Sequence, residues 1–251
     1  MTLEEFFQSN PSGALALSGG VDSSYLAWAA GKYGQSWRAY YVSSAFQPAF
    51  ELADAKKVSA YAGIPLTVIE ADILAHGEIA ANPQNRCYFC KKVVFGTILE
   101  RAAADGYKLV IDGTNASDDV NDRPGMKALQ ELLVRSPLRE CGLTKADVRE
   151  RSREAGLCTW NKPSYACLAT RIPAGKKIEP EVLQRVERGE NLVAALGFQN
   201  FRIRVWGEIA LLQFQEDQMS YAFERRENLQ RLLSPLFSIV TIDLKPRKRA
   251  E

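Results

Sequence analysis

The stretch Ala14-Leu15-Ala16-Leu17-Ser18-Gly19-Gly20-Val21-Asp22-Ser23-Ser24-Tyr25 decides how the chain folds. Its four leading apolar residues suit a buried strand, and residues 26–30 beyond it suit a helix. A strand that stops at a glycine pair and reopens as a helix leaves unpaired backbone N–H groups converging on one point. With the helix dipole behind them they make an anion site. Gly19 and Gly20 can take backbone angles closed to other residues and admit an oxygen-rich ligand. Ser18, Ser23 and Ser24 add hydroxyl donors, so the run from Ser18 through Val21 to Ser24 is a candidate phosphate loop. A bare Asp22 carboxylate would repel a triphosphate, which leaves it two useful roles, holding magnesium or capping loop N–H groups. The loop has neither the lysine of the Walker motif nor the glycine spacing of the dinucleotide fingerprint.

Working outward, further candidate strands at 38–42, 66–69 and 108–111 alternate with helical stretches at about 23–30, 50–61 and 91–105. That alternation predicts an α/β fold with a Rossmann-like parallel sheet, whose ligands lie beyond the carboxyl ends of the strands. Three punctuated segments then matter most: 18–24, 43–48 with Ser43 at its head, and 112–124 with Gly113 and the aspartates Asp118, Asp119 and Asp122. These aspartates are candidates for holding magnesium or positioning a nucleotide, against the alternative of a solvated acidic loop. After a proline-rich connector the pattern changes. A helix over 181–196, strands around 201–205 and 209–214, a polar helix over 221–233 and a strand over 237–242 make a small α+β module. The expected domains are 1–175 and 176–251.

A chain of 251 residues with 46% apolar and 25% charged residues can bury a sizeable core. A net charge of +2 argues neither for nor against nucleic acid. The basic run Lys245-Pro246-Arg247-Lys248-Arg249 reads as a frayed, solvated end. No stretch approaches a membrane span, no basic leader opens the chain, and five cysteines do not make a secreted disulfide framework, so the cytoplasm is expected. The lone His76 reads as a surface or capping residue.

Cys87 and Cys90 form a Cys-x-x-Cys flanked by Arg86, Lys91 and Lys92, which would favour the thiolate. Dithiol redox chemistry, half of a zinc site, half of an iron–sulfur site and two structural thiols all fit that spacing. Cys141 and Cys158 sit among apolar neighbours and read as buried core thiols.

The string Ser18-Gly-Gly-Val-Asp-Ser-Ser24 resembles the signature of the PP-loop ATP pyrophosphatases, which split ATP between its α and β phosphates. With Asp112-Gly-Thr-Asn-Ala-Ser-Asp118, Val134-Arg-Ser-Pro-Leu138 and Cys167-Leu-Ala-Thr-Arg-Ile-Pro173, most of the first 175 residues are similar to the LarE family. The resemblance implies an adenine nucleotide α-hydrolase-like fold and a sulfur transferase using ATP and magnesium. The substrate it implies is a small nucleotide carboxylate, the pyridinium-3,5-biscarboxylic acid mononucleotide of nickel-pincer cofactor biosynthesis, and it implies a homo-oligomer. Single-cysteine members sacrifice the cysteine that matches Cys167. Members matching at Cys87, Cys90 and Cys167 instead resemble enzymes in which three thiolates hold a [4Fe–4S] cluster with one iron free for sulfide. Arg171, four residues after Cys167, then becomes a phosphate contact or a charge polarising the thiolate, and Ser43 falls where relatives bind adenosine.

Arg202 and Arg204 share a strand face as a plausible phosphate fork and resemble a paired arginine motif for the substrate's phosphate. Trp206, Leu211 and Gln213 depart from the family pattern, which puts the exact substrate in doubt. The rival functions are a tRNA thiolase, which would want a basic face, an ammonia-using synthetase, which would not need three cysteines, and a non-catalytic nucleotide-binding scaffold.

Overall fold

Four short strands, β1 (Ser12–Ala16), β2 (Ser36–Ser43), β3 (Leu66–Glu70) and β4 (Val110–Ile111), pair in parallel in the order β3-β2-β1-β4. The helices before, between and after them are α1 (Leu3–Ser9), α2 (Val21–Tyr33), α3 (Ala49–Ala62), α4 (Gly77–Ala80), α5 (Arg86–Ala104), α6 (Pro124–Glu131), α7 (Pro137–Glu140) and α8 (Lys145–Glu154). The computed structural model describes residues 1–118 and 124–247. Asp119, Asp122, Arg123, Lys248 and Arg249 lie outside the described residues.

Successive strand residues face opposite sides of a sheet, so a sheet covered by helices on both sides needs apolar residues at every position. The central strands meet that demand. Leu15, Leu17, Ala39 and Tyr41 join a buried cluster with α1, α2, α3, α7 and α8, whereas Ala14, Tyr40 and Val42 join a second one with α5 and α6. This is the Rossmann-like α/β architecture expected from the alternation. The strand order reverses at β1, with β2 on one side and β4 on the other, which leaves a crevice beyond the carboxyl ends of β1 and β4.

By its contacts the chain forms two compact units, one of residues 1–73 and 85–162, the other of residues 74–84 and 163–251. The second holds β5 (Arg202–Trp206), β6 (Ile209–Gln213) and β7 (Ile239–Ile242), with β5 antiparallel and β7 parallel to β6. Its helices are α4, α9 (Pro180–Ala195), α10 (Met219–Glu224) and α11 (Arg226–Leu233). Ile203, Val205, Ala210 and Leu212 are buried, and α9 packs on β5. The polar helix expected over 221–233 is two helices, broken where Arg225 ends α10 with its N–H on the Tyr221 carbonyl.

Glu190, on α9, anchors this unit. Its carboxylate accepts two bonds from the Arg171 guanidinium (2.8 and 3.0 Å), the Tyr165 hydroxyl (2.6 Å) and the Ile203 N–H (3.0 Å). Arg171 is 1% exposed, and removing one member of a buried ion pair leaves an uncompensated charge. Glu190→Ala is therefore expected to destabilise this unit by about 3–5 kcal/mol, with Glu190→Gln milder, as read by urea unfolding.

Candidate functional site

At the carboxyl end of β1 the chain turns through Gly19, at φ +74°, and Gly20 begins α2 with no side chain capping the helix. A Cβ on Gly19 would lie 2.6 Å from the Glu51 carbonyl oxygen, so the loop sits against the backbone of α3. Ser18 and Ser23 close the turn, hydroxyl to hydroxyl at 3.0 Å, and the Ser23 hydroxyl also accepts the Ser18 N–H (3.2 Å). Ser24 is fully buried and its hydroxyl has no partner among the described residues. Val21 is buried in the core beneath the loop.

The loop after β4 comes directly against this turn. A Cβ on Gly113 would lie 2.7 Å from the Ser23 nitrogen and 3.0 Å from its Cα. Asp112 secures that loop by accepting from Thr114 (2.5 Å) and Ser136 (2.6 Å). Asn115 then reaches back, its side-chain amide donating to the Asp22 carboxylate at 3.2 Å. Lys145, at the start of α8, forms an ion pair with the other Asp22 oxygen.

Among the described residues Asp22 thus caps no loop N–H, and its carboxylate is matched by a lysine. A hard oxygen donor and a cation are the groups a magnesium nucleotide requires. Asp118 spends one oxygen on the Asn115 N–H (3.0 Å), and Ser43 ends β2 with its carbonyl accepting the Ala71 N–H (2.9 Å). Asn115 and Lys145 were not among the expected site residues. The Thr144-x-x-Asp147 capping box, which sets Lys145 on the first turn of α8, was the legible signal for the second.

Cys87 and Cys90 lie on the first turn of α5, the former exposed and the latter half-buried. Of their basic neighbours, Lys92 is engaged with Glu131 at 3.0 Å. Cys141 is half-buried against the core of the first unit, and burial pushes its thiol up. Cys158 is exposed, contrary to the buried thiol expected, because the neighbouring Leu157 takes the core position. His76 is exposed ahead of α4.

In the second unit, Cys167 is half-buried and begins a 3₁₀ turn over Leu168–Arg171. Arg171 braces that turn from beneath. Besides the Glu190 pair, its guanidinium donates to the Ala166 carbonyl and the Thr170 hydroxyl, both at 2.8 Å. It is a positioning group for the cysteine segment.

Arg202 donates to the Ser164 carbonyl (2.8 Å) and lies over the Tyr165 ring, while Arg204 donates to the Thr170 carbonyl (2.6 Å). Burial and the nearby charges of Arg171 and Arg247 push the Arg202 guanidinium down to about 10. Arg204 and Arg247 are lowered by burial and by Arg171 as well. Within the basic run expected to fray, Arg247 is tied in, its N–H bonding the Phe214 carbonyl at 2.7 Å. Gln213, one of the departures from the family pattern, accepts from Arg204 (2.9 Å) and donates to Asp243 (2.7 Å), so a neutral amide stands beside Arg204. A cavity of about 600 Å³ opens nearby in this unit between Ile172, Pro173, Lys176, Val182, Val205 and Trp206.

Among the described residues, no group of three or more His, Cys, Asp or Glu side chains is placed to hold a metal ion. Nor is any helix among them long and apolar enough to cross a membrane.

The loop contacts make a separable prediction. Lys145→Met should weaken Mg·ATP binding at least about tenfold with little change in melting temperature. Gly113→Ala, which drives a carbon into the Ser23 backbone, should lower both, and calorimetric titration with thermal melts reads the two apart.

Residues 7–154 match the family model described as Asparagine synthase. An uncharacterized protein of Synechocystis sp. is 36% identical over 248 residues, 97% of this chain and 92% of that protein. The pyridinium-3,5-bisthiocarboxylic acid mononucleotide synthase of Lactiplantibacillus plantarum is 32% identical over 174 residues, 69% of this chain and 63% of that enzyme. An uncharacterized protein of Methanocaldococcus jannaschii is 27% identical over 231 residues, 92% of this chain and 88% of that protein. With a phosphate-type loop at the switch point of its sheet, this chain belongs to the asparagine synthase family, within the PP-loop ATP pyrophosphatase superfamily of enzymes.

Proposed function

We propose that this protein is an ATP-dependent sulfur transferase that adenylates a substrate carboxylate and then replaces AMP with sulfur. The observation that carries the reading is the loop from Ser18 to Ser24 beside Gly113, in a chain related over 174 residues to a bisthiocarboxylic acid mononucleotide synthase. The fit to a nucleotide's phosphates is physical. The helix start is uncapped, one loop hydroxyl is buried without a partner, and two close backbone approaches leave no room for side chains. The substrate we favour is pyridinium-3,5-biscarboxylic acid mononucleotide.

In the first step a carboxylate oxygen of the substrate attacks the α phosphorus of ATP and pyrophosphate leaves, giving an acyl-adenylate. Loop N–H groups and Lys145 stabilise the charge that develops on the departing pyrophosphate. Asp22 would hold magnesium, which neutralises phosphate charge when bound. In the second step the Cys167 thiolate attacks the acyl carbon and the C–O bond to AMP breaks, leaving a thioester. Loss of the Cys167 α proton to solvent then breaks its Cβ–S bond, which releases the thiocarboxylate and leaves dehydroalanine at 167. Cys167 is the sulfur-bearing residue we assign, held in place through Arg171 and Glu190. Arg202 and Arg204, with Arg247 beside them, supply the excess positive charge that would receive the substrate's phosphate, and the cavity at Trp206 would take its ring.

A [4Fe–4S] cluster on Cys87, Cys90 and Cys167 rests on the family resemblance. The donor chemistry suits it, since all three are cysteines outside any disulfide. The gathered ligand set is not met among the described residues, and the steps above run through thiols alone.

Anaerobic protein incubated with substrate and ATP is expected to release pyrophosphate and form thiocarboxylate. Cys167→Ala should keep pyrophosphate release and lose thiolation by at least about a hundredfold, since truncation removes the nucleophile itself. Absence of pyrophosphate release in the parent protein would return the reading to a nucleotide-binding scaffold. Iron counted at about four per chain, and lost in each of the three cysteine variants, would add the cluster to the mechanism.

A further inference from the structure

We propose that Lys162 positions the phosphate loop, turning the Gly19–Gly20 peptide so that the Gly20 N–H faces the nucleotide's phosphates, while its own ammonium stays clear of them. The inference deepens the ATP reading and rests on it.

Lys162 stands 143 residues from Gly19 in the chain, yet its ammonium donates to the Gly19 carbonyl at 2.9 Å. The same ammonium donates to the Asp54 carboxylate at 2.8 Å and lies 4.9 Å from the centre of the Phe50 ring. Both partners belong to α3, the helix against which Gly19 is seated, and the Lys162 side chain is only 15% exposed. The ammonium is thus held between the loop and the α3 wall behind it.

The effect on the loop follows from peptide geometry. The described chain contains no cis peptide, and in a trans peptide the carbonyl and the following N–H point in opposite directions. Fixing the Gly19 carbonyl on Lys162 therefore fixes the Gly20 N–H on the opposite side of the loop. There its partner is the Ser18 hydroxyl at 3.4 Å, a long bond that an anionic oxygen would readily replace. Gly19 has φ +74° and no Cβ, so without the lysine this peptide plane would be free to rotate. An ammonium on the carbonyl also polarises the amide and strengthens its N–H as a donor. Asp54 matches the Lys162 charge and keeps it on the wall, whereas Lys145, across the site, is matched by Asp22, the group that magnesium would claim.

The test is calorimetric titration of the full chain with Mg·ATP and with AMP, which lacks the β and γ phosphates, alongside thermal melts. Lys162→Met is expected to weaken Mg·ATP about tenfold or more while leaving AMP affinity and melting temperature near the parent's. Lys162→Arg, which keeps a donor to the carbonyl, should recover most of the loss. Asp54→Asn, which leaves the Gly19 bond in place, should fall between parent and Lys162→Met. Unchanged Mg·ATP affinity in Lys162→Met would overturn the inference. So would an equal loss of ATP and AMP together with a lowered melting temperature, which would make the lysine a structural brace only. A parent protein that binds no Mg·ATP would instead overturn the ATP reading, and the inference with it.

Discussion

One close backbone approach governs the first unit, that of Gly113 to the first turn of α2. The space between them is smaller than a methyl group, so the loops after β1 and β4 must be fitted to one another before either can serve a ligand. Everything polar at the site hangs on that fit. Asn115 can reach Asp22 only because Gly113 brings its loop in, and Asp112, bonded to Thr114 and Ser136, stops the loop from lifting away. The parallel sheet supplies the rest by placing β1 between β2 and β4, where the order reverses and a crevice opens.

The second unit is organised by charge. Glu190 is the carboxylate at the centre of a group of guanidiniums, and Arg171 takes its bidentate face. Arg202, Arg204 and Arg247 lie beside them with their proton affinities lowered first by burial and then by the charge of Arg171. Gln213 contributes by being neutral, since a carboxylate there would have quenched Arg204. The half-buried Cys167 is carried on the turn that Arg171 braces.

Much of this was legible from the chain. The strands around 14–17, 38–42 and 66–69 lie within a residue or two of those observed, because a sheet buried on both faces must be apolar throughout and the glycine pair marks where it stops. The loop itself was legible, as was the Cys-x-x-Cys spacing, although the helix expected from about 91 begins at Arg86. The misses share a cause. Cys158 read as buried because its neighbours are apolar, but a single position of rotation decides which residue of a turn enters the core. Arg247 read as part of a frayed end because nothing local shows that it will pair with the backbone at Phe214. The Glu190 partner of Arg171 was not legible either, since it lies 19 residues on and on another element.

The sequence by itself determined the α/β class, the position of the phosphate-type loop and the thiols available for chemistry, since each is written in residues adjacent along the chain. Only the tertiary structure decided which charges meet. Lys145 lies 123 residues from Asp22, and Lys162 lies 143 from Gly19. Local propensity carries no record of such pairings, because they are fixed by the packing of α3 and α8 around the sheet.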